Sequence, residues 1–210
     1  IGMCRLHNED EVILCPAEGF FAVSDGMGGL INGGLTSEII AGFVPGLMTG
    51  IMFEAASKTD IGAKAALLEE MARELSDGIF AMGNQNGATE YVATFSGVWL
   101  VEDKAVFVNV GDSRGYMLSK AGVLRQVTVD HNEAQNMVAL GHFSKAEASL
   151  HYTSAILTRY MGMAAPVTVD IFVEEIKPYD KVLVCSDGLS GMLNDDEIRD
   201  LLAEPLYQED

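Results

Sequence analysis

Three times in this chain an apolar run ends in an aspartate beside a glycine. Phe20-Phe21-Ala22-Val23 leads into Ser24-Asp25-Gly26, Val182-Leu183-Val184-Cys185 into Ser186-Asp187-Gly188, and Val106-Phe107-Val108-Asn109-Val110 into Gly111-Asp112-Ser113-Arg114. Short runs of this kind read as strands buried on both faces, and the glycine lets the chain turn sharply at the strand end. An Asp-Gly pair after a strand is also the ordinary chemistry of a turn, so no single instance implies a site. Three together do constrain the fold. Carboxylates carried to neighbouring strand ends repel one another unless cations neutralise them. Oxygen-only ligands of this kind select hard ions such as Mg²⁺, Mn²⁺ or Ca²⁺.

The rest of the sequence is compatible with such a scaffold. The 210 residues are enough for one domain to bury a substantial core without disulfides or structural metal. Acidic residues outnumber basic ones 31 to 13, for a net charge of −18, which excludes binding nucleic acid or an anionic membrane through bulk electrostatics. Cys4, Cys15 and Cys185 are odd in number and lack CxxC spacing, which fits a reducing, cytoplasmic setting rather than a disulfide framework. The longest uncharged stretch, Ile39–Phe53, is short of a membrane span and is expected to form a buried helix or helix pair.

Strands are expected near Glu11–Cys15, Gly19–Ser24, Tyr91–Val101, Lys104–Val110, Gly115–Leu118, Val167–Ile176 and Lys181–Cys185. Helices are expected near Thr36–Phe53, Ile61–Met82, His131–Leu140 and Asp195–Ala203, the last capped by Asn194 with Glu197 three residues on. Two long helices between a strand pair and a longer run of strands indicate α+β, with sheets packed together and helices outside. Trp99 and most of the 11 methionines read as core.

At these residues the chain resembles the metal-dependent, type 2C serine/threonine protein phosphatases in their compact bacterial form. The resemblance runs through Arg5-Leu6-His7-Asn8-Glu9-Asp10, Phe21-Ala22-Val23-Ser24-Asp25-Gly26-Met27-Gly28-Gly29, Gly111-Asp112-Ser113-Arg114, Asp130-His131, Leu157-Thr158-Arg159 and Cys185-Ser186-Asp187-Gly188-Leu189, in the family's order. It implies a central β-sandwich of two antiparallel sheets flanked by helices, with a metal site in a cleft at one end. It further implies that Asp25 bridges two Mn²⁺ or Mg²⁺ ions, with the Gly26 carbonyl and Asp187 as further ligands. Asp112 would serve a third, weaker ion, Glu9 and Asp10 would hold metal-bound waters, and Arg5 would grip the substrate phosphate. A mobile flap would occupy about residues 140–163. The expected activity is hydrolysis of phosphoserine and phosphothreonine in proteins phosphorylated by a cognate kinase.

Two departures stand out. Met27 occupies the place where many eukaryotic members carry a histidine proposed as general acid, and His7, His131, His142 and His151 read as structural or surface residues. The family's closing Asp-Asn-x-Thr motif and final strand are absent before Asp210. The chain is therefore expected to be a single phosphatase-like domain over 1–210 truncated at its C-terminus, or else a divergent member with an incomplete site. The latter would be a regulatory or partner-binding module of impaired activity.

Overall fold

Apolar alternation along the strands builds two antiparallel sheets stacked face to face. The structure, a computed structural model, describes residues 8–27, 33–85, 90–164 and 166–204. Its strands are β1 Asp10–Cys15, β2 Phe20–Asp25, β3 Phe95–Val101, β4 Lys104–Val110, β5 Arg114–Leu118, β6 Leu124–Gln126, β7 Asp170–Glu175 and β8 Lys181–Cys185. The helices are α1 Gly33–Ala55, α2 Ile61–Gln85, α3 Glu133–Ala139, α4 Lys145–Leu150, α5 Asp187–Ser190 and α6 Asp195–Ala203, with a 3₁₀ turn at Tyr152–Ala155. One sheet has the order β1-β2-β3-β4-β7 and the other β6-β5-β8. Every pairing is antiparallel, so the expected α+β sandwich is what the chain forms.

The layers follow from which way alternate side chains point. On β4, Val106, Val108 and Val110 face a cluster with Phe20, Phe95 and Trp99 and with Ile40, Val44 and Met48 of α1 and Leu68 and Ile79 of α2. Ala105 and Phe107 face the other way and fill the space between the sheets with Val98, Met117 and Val127. On the far side of the smaller sheet, Tyr116 and Cys185 pack under Ile198 of α6. The order of layers is helices, five strands, three strands, helix. Burying the Trp99 indole leaves its N–H needing an acceptor, and the Glu18 carbonyl supplies one at 3.0 Å.

Three sequence expectations need correcting. Of the three strands that lead into the aspartate phrases, only β4 is buried along nearly its whole length; β2 alternates, and Val182, Leu183 and Val184 of β8 are half-buried. The reason is position, since β8 pairs only with β5 among the described strands. Ile39–Phe53 lies in one continuous helix that spans Pro45 and buries only one side. Pro45 sits on the exposed side, where water can satisfy the carbonyl its missing N–H leaves free. Finally, β3 begins at Phe95 rather than Tyr91, because Ala93 makes isolated bridges to Gly26 and Met161 instead of joining a strand. The cap of α6 is as expected: the Asn194 side chain accepts from Asp196 and Glu197, and the Glu197 carboxylate accepts from the Asn194 amide.

Gly115 lets the two sheets approach. A Cβ there would lie 2.6 Å from the Phe107 ring of the opposite sheet. Gly115→Val should therefore overpack the sandwich and cost about 1–3 kcal/mol of stability, read as a lowered urea midpoint with unchanged slope.

Candidate metal centre

The β1–β2 hairpin sets Asp10 directly across from Asp25 at its open end. From the other sheet, β8 ends at Cys185 and hands the chain to α5, whose first residue is Asp187. The Asp25 carboxyl faces the side chains of both Asp10 and Asp187, closely enough for each to act on its ionisation. Ser186, one residue before Asp187, donates its hydroxyl to Asp10 Oδ2 at 2.9 Å. Three acids from two sheets thus meet at one end of the sandwich. Burial, then the Asp10 and Asp187 carboxylates, push the Asp25 pKa up from 3.8 to about 9.

Asp112 belongs to the same electrostatic neighbourhood. Its pKa is pushed up to about 7, first by burial and then by the carboxylates of Asp187 and Asp130, with its backbone hydrogen bond and Arg114 acting in the opposite direction. Thr94 ties the Asp112 loop to β2. Its amide donates to the Asp25 carbonyl at 2.8 Å, its hydroxyl accepts from the Asp25 amide at 3.0 Å, and that hydroxyl also bonds Ser113 Oγ at 2.7 Å. Gly111 makes the turn into Asp112 at φ +111, and a Cβ there would lie 2.6 Å from the Thr94 side chain. Glycine is required on both counts.

Gly26 is equally constrained by close approach. A Cβ on it would fall 2.1 Å from the Gly33 carbonyl, so the start of α1 rests directly on this residue. Its amide donates to the Glu9 carbonyl at 2.9 Å, and Ser37 of α1 donates to the same carbonyl. Glu9 is thereby held beside Gly26, at the mouth of the Asp10–Asp25 pair. Asn8 completes the phrase by bonding both the carbonyl and the amide of Asp10. Asp10, Asp25 and Asp187 are thus brought together, with Glu9, Gly26 and Asp112 adjoining. Arg5, Gly28 and Gly29 lie outside the described residues.

The groups that hold this arrangement carry no local signal of their partners in the sequence, and His131, read there as structural or surface, proves structural. Arg114 forms a forked pair with Asp130, Nε at 2.9 and 3.1 Å from its two oxygens and Nη2 at 2.6 Å from Oδ2. Gln126 adds a bond to Asp130 at 2.9 Å. Buried His131 accepts the Gly111 amide on Nδ1 at 3.1 Å, so its Nε2 carries the proton toward Asp170 Oδ2, also at 3.1 Å. Asp170 in turn pairs with Arg159, and the His131 carbonyl accepts the Thr158 amide. The Asp130-His131 and Leu157-Thr158-Arg159 phrases are therefore joined to the Asp112 turn. A His next to an Asp was the available signal, but its partners lie tens of residues away.

Among the described residues, no three His, Cys, Asp or Glu side chains form a ready-made coordination cage. The acids instead face one another, with Asp25 between the other two. Their chemistry nevertheless fits a hard divalent cation: all donors are oxygens, and burial with neighbouring carboxylates makes two of the acids resist ionisation. A folded-state pKa raised in this way means that, between about pH 4 and 9, the folded chain retains a proton the unfolded chain has released. The fold should lose stability as pH rises through that window. In chelator at pH 8, Asp25→Asn should raise the melting temperature by about 5 °C and flatten its pH dependence, as thermal unfolding would record.

The protein phosphatase 2C family model matches residues 5–208. The serine/threonine phosphatase stp of Listeria monocytogenes serotype 4b is 32% identical over 209 residues, covering 96% of this chain and 79% of that protein. The Staphylococcus aureus serine/threonine phosphatase Stp1 superposes with a TM-score of 0.85 at 26% identity, over 99% of this chain and 81% of that one. The catalytic domain of the serine/threonine protein phosphatase PstP, solved in complex with two manganese ions, gives 0.78 at 28% identity, over 97% and 81%. With the phosphatase-like order of its motifs, the sandwich that carries them and these matches together, the chain belongs to the protein phosphatase 2C family.

Proposed function

We propose that this phosphatase hydrolyses phosphoserine and phosphothreonine in proteins at the Asp10–Asp25–Asp187 cluster, with Mn²⁺ or Mg²⁺ bound there. The observation that carries the reading is the convergence of Asp10, Asp25 and Asp187 from two sheets at one end of the sandwich, where Asp25 is flanked by two other carboxyls and its pKa is pushed up. Such a group is stable as a carboxylate only beside cations. Asp25 and Asp187, with the Gly26 carbonyl, would hold an ion pair. Asp10 and Glu9 would orient its waters, and Asp112 would serve a third ion. When bound, the ions lower the pKa of a water and neutralise charge on the phosphoryl oxygens.

The chain's own groups supply the positioning. Thr94 fixes the Asp25 backbone, Ser186 orients Asp10, and the Arg114–Asp130 fork keeps the Asp112 turn in place. Arg5 would bind phosphate through its paired donors. His131 faces Gly111 and Asp170 and is no candidate for the acid. The substrate class is phosphorylated protein, and a cognate serine/threonine kinase would supply it. Cys15 and Cys185 are free thiols, which fits a cytoplasmic setting. We also take residues 1–210 as one catalytic domain. The alternative of an impaired regulatory module finds no support in relatives named as phosphatases.

The purified chain should turn over p-nitrophenyl phosphate and a phosphothreonine peptide in Mn²⁺, and lose activity at least ~100-fold in chelator or on Asp25→Ala. Turnover that survives both treatments would sink the metal-dependent reading.

A further inference from the structure

Among the described residues, nothing covers the outer, apolar face of α1. Ile40, Val44, Met48 and Ile51 form its inward side. Opposite them Leu35, Phe43, Leu47, Met52 and Phe53 are exposed, Phe53 to 88% and Phe43 to 56%. Gly42, Gly46 and Gly50 recur every fourth residue along this outer side. Among the described residues, a Cβ on any of the three would meet no atom within 4 Å. The face is a strip of bare backbone with Leu35 and Phe53 at its two ends and Phe43 and Leu47 along one side, and no charged residue of α1 lies between Glu38 and Glu54. Glu18, the nearby acid, is drawn to the rim by Thr49 at 3.2 Å. Surrounded only by water, such a helix would be better served by alanine, lysine or glutamate.

Area and charge both point to the occupant. At about 200 Å² for a whole phenylalanine and somewhat less for Leu and Met, the five side chains expose roughly 500 Å². The glycines, Pro45 and Thr49 bring the face to roughly 700 Å² per copy, so two copies would bury about 1,400 Å², within the range of stable interfaces. A two-fold axis through Gly46 places Glu38 of one copy against Glu54 of the other. Glu54 is paired with Lys58 at 3.4 Å, the first basic residue after Arg5. An antiparallel arrangement therefore offers Glu38 a cation, whereas a parallel one sets Glu38 against Glu38.

We propose that α1 is a self-association surface on which two copies of this chain pack antiparallel, crossing at Gly46. The bare glycine floor lets the helices approach closely. Phe53 of each copy lies over Ile39 and Gly42 of the other. By length and composition α1 could also cross a membrane. Its inner side, however, is occupied by the core, and an interfacial helix relies on Lys and Arg that this face lacks.

Sedimentation velocity on the 210-residue chain tests the proposal, with Gly46→Leu and Phe53→Lys as variants. The wild type should pass from monomer to dimer between about 1 and 100 µM, and both variants should remain monomeric across that range. Gly46 faces open space within one copy, so Gly46→Leu should match or exceed the wild-type melting temperature where both are monomeric. It should also retain full phosphatase turnover, which separates lost pairing from lost folding. A wild type that stays monomeric throughout overturns the proposal. So does a dimer that persists in both variants, or a monomer that instead co-sediments with phosphatidylcholine vesicles through this face.

Discussion

The placement of Asp25 between Asp10 and Asp187 is the constraint around which this end of the molecule is arranged. Two of these acids face each other across the β1–β2 hairpin, and the third arrives from a separate sheet through β8. In water, carboxylates at such separations would drift apart. Here β1 and β2 are fixed by their register, and β8 is fixed by pairing with β5 and by the cluster between the sheets. The sandwich buries the acids and holds them together against their repulsion, and the cost of both appears as the raised pKa values of Asp25 and Asp112. Stability is given up at the site that needs charge density, a trade expected where function and fold compete.

Around that cluster the polar groups are paired so that the strain stays local. Thr94 uses both its amide and its hydroxyl on the Asp25 backbone and still reaches Ser113, so the strand end and the Asp112 turn move as one piece. Arg114, whose pKa Asp130 raises against the effect of burial, offsets part of the field that Asp130 and Asp187 set up at Asp112. His131 accepts the Gly111 amide while its own amide donates to the Gly111 carbonyl, and through Asp170 it connects the turn to Arg159. Each link is a short bond between groups far apart in sequence.

That distance explains which parts could be read from the chain. The strand-to-aspartate phrases are local patterns that mark Asp25, Asp112 and Asp187 with β2, β4 and β8, and apolar runs mark most of the other strands. Thr94 carries no such pattern: its partners are 69 and 19 residues away. β6 and α5 have three and four residues, too few to show a period. α4 is different, because Ser144 and Glu147 form a capping box that the sequence displays openly. The helix around Pro45 shows the limit of hydropathy: its residues are apolar whether the covering layer is a sheet, a second copy or nothing. Composition tells that such a face should be covered, and only the fold tells that half of α1 is not.

The central claim is that Asp25 is held as an acid that only cations can ionise at neutral pH. Carbon-13 NMR titration of the aspartate carboxyl carbons would measure this directly, in chelator and again in saturating Mg²⁺. The account predicts one carboxyl with a midpoint near pH 9 in chelator and another near 7, both ionised from well below neutrality once Mg²⁺ is present. Aspartates that all titrate near pH 4 in chelator, or elevated midpoints that Mg²⁺ leaves unmoved, would contradict it.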